Sequence, residues 1–321
     1  MKKLQKFTEP QITSTYAGEF AGQYIAAALL SARTLDNKLI TIHPNVKYKE
    51  VLQKVAVDGI VQDASCDFVT SGSVVLSERI LEPKELQVNL QLCKQEFVDS
   101  WEALQLGYSA FDSIPANFND FLISYVGGKV AEATEQSIWQ GANVNGQFLG
   151  FETAFSASIA AGGSTAVLAA KSGSIIISGS VTSANVLDKL NSVVNTIPDT
   201  VYGKEDVLLY VSTNVAKAYQ QALAGGAIGA NGWNNQMNVG EKPFNFNGIE
   251  IVLCPGMPAS TIVAAQKSNL HFGTGLLSDY NEVKVIDMAN IDGSQNYRVI
   301  MRYTGGTQFG IGQDIVYYGA Y

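Results

Sequence analysis

Charge is what this chain has least of. Of its 321 residues, 16% are Asp, Glu, Lys or Arg, against about 25% in an average soluble domain. A surface so thinly charged argues against a freely diffusing enzyme and for a chain that buries its surface or covers it with partners. Basic blocks are missing too. The 21 Lys and Arg are dispersed among 29 Asp and Glu, for a net charge of −8, and no run forms the arm that neutralises phosphates. DNA nearby would be held by confinement, not by counterion-releasing contacts. His43 and His271 are the only histidines, and Cys66, Cys93 and Cys254 are scattered without a CxxC. That excludes a closed zinc site and a complete disulfide framework, and it suits a reducing compartment. No apolar run reaches the length of a membrane span. Lys2 and Lys3 precede the apolar stretch from Tyr24 to Ala32, but Glu9, Pro10 and Glu19 interrupt the approach. The spacing predicts an amphipathic N-terminal helix, not a signal peptide.

What is present is apolar and patterned. Hydrophobic residues make up 46% of the chain, enough for a sizeable core in one or two compact units. Positions 1–15 read as an extended polar arm and Tyr16 to Thr34 as a helix. Ile40 to Val57 and Val74 to Phe97 read as long strands around a turn-rich link containing Gly59, Asp63 and Gly72. Leu86, Val88, Leu90 and Leu92 alternate with Gln87, Asn89, Gln91 and Cys93, which means one buried and one wet face. A two-stranded ribbon cannot bury both its faces alone, so its apolar face needs another surface, and Leu86 and Leu90 are candidate contacts with a neighbour.

The clearest helix runs from Asn119 to Gln140, with Asn119 as cap, Leu122, Ile123, Val126, Val130 and Ala133 as its apolar stripe and Gly141 after its end. Gly141, Gly146 and Gly150 then punctuate a turn. Ser156 to Ser180 is low in complexity and reads as a loop or a smooth strand. Val186, Leu190 and Val193 mark a helix stopping before Pro198, Val207 to Val211 a buried strand, and Val215, Tyr219 and Ala222 one face of a helix capped by Ser212 or Thr213. Ile249 to Leu253 and Ile262 to Ala265 are further strands of this α/β unit. Gly225 to Gly240 reads as an exposed loop around Trp233. In the tail, Tyr297, Val299, Met301 and Tyr303 alternate with Arg298, Ile300 and Arg302.

Catalytic chemistry finds no footing. Cys254, His271 and Asp279 could compose a thiol triad, but nothing in their spacing requires them to meet. Ser124 to Lys129 imitates a phosphate loop inside a helix and lacks its first glycine. Glu132 and Glu135 read as a solvated or subunit-facing helix edge. No cofactor is implied.

In order along the chain, the arm, the strand-turn-strand excursion, the helix Asn119 to Gln140, the turn Gly141–Gly146–Gly150–Phe151, the stretch Asn247 to Pro258, the stretch Ser268 to Leu276 and the closing strands resemble tailed-bacteriophage major capsid proteins of the Hong Kong 97 type. Leu149 stands where the family often has proline, and Gly275 where it typically has an acidic residue. The resemblance implies an α+β fold in which 1–35 form an N-terminal arm and helix and 36–97 an extended β-ribbon loop. It implies a peripheral domain of 98–180 and 277–321 with a spine helix, 119–140, and an α/β axial domain of 181–276. It further implies self-assembly into hexamers and pentamers of an icosahedral shell around double-stranded DNA, in a virion made in a bacterial cytoplasm. Scaffolding, portal and decoration proteins would be the other partners. Trp233 would approach a capsomer axis, and Glu132 and Glu135 would meet cations such as Arg298 and Arg302 of this or a neighbouring subunit. Two other readings use the same features: an encapsulin-like nanocompartment shell, and a secreted adhesin or surface-layer protein suggested by low charge and Ser/Thr/Asn content.

Overall fold

The structure, a computed structural model, describes residues 33–58, 61, 63, 64, 66, 73–93, 116–225, 244–275, 284–288, 293, 294 and 296–319. The arm 1–32, Asp279, Trp233 with its loop 226–243, and most of the link 59–72 lie outside these residues.

A six-stranded sheet stands between two hydrophobic cores. Its order is β5 (Leu168–Ala169), β15 (Val316–Tyr318), β11 (Ile262–Gln266), β8 (Val207–Val211), β10 (Ile249–Leu253) and β9 (Phe244–Phe246). β8 is buried at all five positions. It can be apolar throughout because both faces of the sheet are covered. Leu209 and Val211 turn to a core built with α4 (Val186–Thr196) and α5 (Thr213–Gly225), and Leu208 and Tyr210 turn to the opposite core. The same two-residue beat sends Ile262 and Ala264 one way and Val263 and Ala265 the other.

The second core lies against a mixed sheet centred on the longest strand, β14 (Asn296–Phe309). β14 pairs antiparallel with β4 (Lys84–Cys93), β13 (Lys284–Asp287) and β12 (Leu270–Gly273), and β12 pairs in parallel with β1 (Thr41–His43). Tyr297, Val299, Met301 and Tyr303 are buried as their alternation predicts. Strand pairing crosses the expected subdivisions: β12 of the 181–276 segment joins the β14 sheet, and β15 of the tail joins the α/β sheet.

Under the β14 sheet runs the long helix α2 (Ala116–Gln140), burying Ile123, Val126, Val130, Ile138 and Trp139. It begins before Asn119, which therefore lies inside it and is not its cap. Ala133 is exposed; the buried stripe continues instead through Thr134 and Ser137. The turn after α2 closes on itself, with Gly150 N donating to Gly141 O at 2.7 Å. A Cβ on either glycine would collide with the backbone opposite, which is why both positions are bare. α3 (Phe151–Ala161) follows, and its second half, from Ser156, falls where low complexity predicts loop or strand. Its composition hides a real apolar face: Phe151 and Phe155 are fully buried, and Phe155 packs on Phe309 and Tyr317 at 5.4 and 5.9 Å.

The ribbon differs most from expectation. β2 (Glu50–Asp58) and β3 (Ser73–Leu81) form a two-stranded sheet that no other strand joins among the described residues. The run expected from Val74 to Phe97 is broken at Glu82 and Pro83, and β4 leaves the ribbon to pair with β14 over ten residues. Proline has no N–H for a ladder, so the break falls where the sequence allows it.

Candidate assembly surface and the ribbon base

Three places collect the polar and exposed side chains that a functional reading needs. The first is the outward face of the ribbon. Val51 and Ile80 are cross-strand partners and are 46% and 45% exposed. The other face, carrying Arg79 and Leu81, lies on the body. The Arg79 guanidinium stacks over Phe309 at 4.0 Å, its Nε donates to Gly310 O at 3.1 Å, and Leu81 is fully buried against Gly273. Burial holds the Arg79 guanidinium below its ordinary value.

The second is the β4–β14 surface. Leu86 is 7% exposed and belongs to the chain's own core, opposite Tyr303, so the expected neighbour contact at Leu86 is replaced by an internal one. The alternation holds, but the chain's own core supplies the covering surface. Leu90 remains 39% exposed. Arg298 and Arg302 occupy the opposite parity of β14 from the residues that face α2, Arg298 half-buried and Arg302 exposed. They therefore point away from the helix that carries Glu132 and Glu135, and the expected pairing within the chain does not occur. Beside Arg302, Lys84 Nζ donates to the carbonyl oxygens of Val144 and Gln147 at 2.8 and 2.9 Å, tying β4 to the glycine turn.

Glu132 pairs with Lys129 of its own helix at 2.8 Å. Glu135 is not a solvated edge. At 6% exposure it accepts hydrogen bonds from Thr34 N at 2.9 Å and Thr34 Oγ1 at 2.6 Å, while Trp139 Nε1 donates to Thr34 Oγ1 at 3.0 Å. Thr34 sits in the single turn α1 (Arg33–Asp36), so this network pins the first described residues to α2. Cys254 lies alongside. Burial first, then the Glu135 carboxylate, pushes its thiol up, which keeps it protonated and unreactive.

The third place is the ribbon base, where sequence reasoning saw nothing. The parallel register of β1 on β12 brings together His43 and His271, 228 positions apart, with His43 Nε2 2.9 Å from His271 Nδ1. His43 Nδ1 lies 2.8 Å from Glu50 Oε1, at the first residue of the ribbon. Burial, then the neighbouring His43, pushes His271 down to about 4, against a smaller opposing pull from Glu50. The imagined triad thus dissolves: His271 is engaged with His43, and Cys254 with the Glu135 network. Among the described residues no cluster of His, Cys, Asp and Glu could hold a metal ion, and no helix is long and apolar enough to cross a membrane.

No family model matches the chain, and no curated protein matches its sequence. Solved structures do match, over nearly the full length. The capsid of an empty GTA particle superposes with a TM-score of 0.57 at 14% identity, covering 97% of this chain and 94% of that one. The capsid of the cyanophage P-SCSP1u gives 0.54 at 12% identity, with 99% and 91% covered. The satellite phage P4 procapsid gives 0.52 at 11%, with 92% and 98% covered. The chain therefore has the mixed helix-and-sheet fold of phage capsid proteins, as its resemblance to the Hong Kong 97 type implies.

Proposed function

We propose that this chain is a major capsid protein, whose copies form the hexamers and pentamers of an icosahedral head shell around double-stranded phage DNA. The observation that carries the reading is the likeness to capsid subunits over 97–99% of this chain and 91–94% of theirs. The ribbon supports it. A two-stranded sheet is marginal alone, and the exposed Val51–Ile80 pair offers apolar area that a second copy would cover. The role is structural, with no catalytic residue, cofactor or metal. Leu90, Glu132, Arg298 and Arg302 are the positions through which neighbouring copies would touch, with Trp233 near a capsomer axis. Scaffolding, portal and decoration proteins would complete the set of partners, and the virion, made in the bacterial cytoplasm, is the expected location. Nothing observed favours a nanocompartment or a secreted adhesin. Negative-stain microscopy of the purified chain tests the reading: closed icosahedral shells are expected, and a protein that stays monomeric across assembly conditions overturns it.

A further inference from the structure

The ribbon meets the body through two short links, residues 44–49 and Glu82–Pro83. Both are tied down by backbone. Val46 N donates to Thr274 O at 3.0 Å, and Pro83 crosses Gly306 so closely that a Cβ there would strike it. Among the described residues, only at Glu50 does a chain of titratable side chains tie the ribbon to the body. Glu50 starts the ribbon, His43 ends β1, and His271 lies in β12.

The proton count in this chain is constrained. With Glu50 ionised, His43 carries a hydrogen on Nδ1 and donates it to the carboxylate. His43 Nε2 is then a bare acceptor, and His271 must donate from Nδ1. A single added proton is accommodated: His43 becomes the double donor, and His271 turns acceptor by holding its hydrogen on Nε2. A second proton is not accommodated. It would set two N–H groups against each other across 2.9 Å and place two cations in edge contact, with ring centroids 5.0 Å apart.

We propose that the Glu50–His43–His271 chain is a proton-operated latch, closed while the histidine pair carries at most one added proton and released when it carries two, so that acid loosens the ribbon from the body. The other charged groups around it do not substitute for the missing acceptor. Lys49 is paired with Glu82 at 3.1 Å on the adjoining link. Arg79, Lys54 and Glu78 line the cavity of about 640 Å³ that His271 shares with β2 and β3, and Arg79 is bound to Gly310 O and Phe309. Glu78 in that cavity is offset by Lys54 and Arg79, and the charge that acts on His271 is that of His43 and Glu50.

The sign of the effect follows from His271. Its ordinary value is 6.5 and its latched value about 4. The opened form therefore takes up the proton first, and opening is favoured progressively as pH falls from 6.5 to 4 and is unaffected above that window.

Amide exchange of the full-length chain, corrected for the intrinsic pH dependence of exchange, tests this. Between pH 7.5 and 5.0, protection of residues 50–54 and 78–82 should fall at least about fivefold, while β8 keeps its protection. In His271→Gln, whose amide can still donate to His43, the change should shrink to less than about twofold. Equal protection of the ribbon at both pH values in the native chain overturns the latch, and so does a full pH response in His271→Gln. Imidazole NMR gives a readout free of variants, since the chain has two histidines. One late-titrating ring near pH 4 is expected, and two rings titrating together near 6.5 would refute the coupling.

Discussion

At the scale of single residues, the least replaceable polar group is the Thr34 hydroxyl. It donates to a buried carboxylate and accepts from a buried indole. Thr34→Val keeps the shape and leaves Glu135 and Trp139 each short of a partner. Unmet buried groups cost about 1–3 kcal/mol each, more when charged, so the loss should be about 2–4 kcal/mol of unfolding free energy, read from urea denaturation. Thr34→Ser should lose less than half of that. A valine variant within about 0.5 kcal/mol of the parent would mean that water or a shifted side chain serves Glu135 instead. None of this was legible beforehand. Glu135 looked like a surface carboxylate because helix position alone does not say which residue from elsewhere will be laid across it.

At the scale of elements, β4 shows how a correct pattern acquires a different meaning. Its four leucine and valine positions share one face, as read. The ladder with β14 turns that face toward the chain's own core at Leu86 and leaves it half-open at Leu90. The two substitutions should therefore part company. Leu86→Asp buries an unpaired charge inside the subunit and should yield insoluble or unfolded chain. Leu90→Asp should give subunits with parental circular dichroism that fail to close shells. Full shells from Leu90→Asp would remove Leu90 from any interface, and soluble folded Leu86→Asp would show that its burial is dispensable. The α3 helix failed to announce itself for a related reason: alanine and serine fit helix, loop and strand alike, and the two phenylalanines decide only when Phe309 and Tyr317 are there to meet them.

At the scale of the whole molecule, the net charge of −8 sets the relation to DNA. On the shell role proposed above, a subunit of this charge should enclose a genome without gripping it. Dissociated subunits should cause no shift of duplex DNA in a native gel at about 150 mM salt, a concentration at which exposed charges are screened beyond roughly 8 Å. A shift that disappears as salt is raised would reveal a basic face assembled from scattered residues, and confinement would no longer be the sole link to DNA.

Period and punctuation carried the elements in the sequence: the beat of β14, the apolar run of β8, the stripe of α2 and the glycines that end it are local properties, set by side chains a few positions apart. Their order along the chain carried the resemblance to a capsid fold. Tertiary structure alone decided where the ribbon stops, which face of β4 has a partner, that Glu135 is buried, and that His43 meets His271. Each depends on strand register between segments far apart in the chain, and register comes from packing both faces of a sheet at once, which no local window contains.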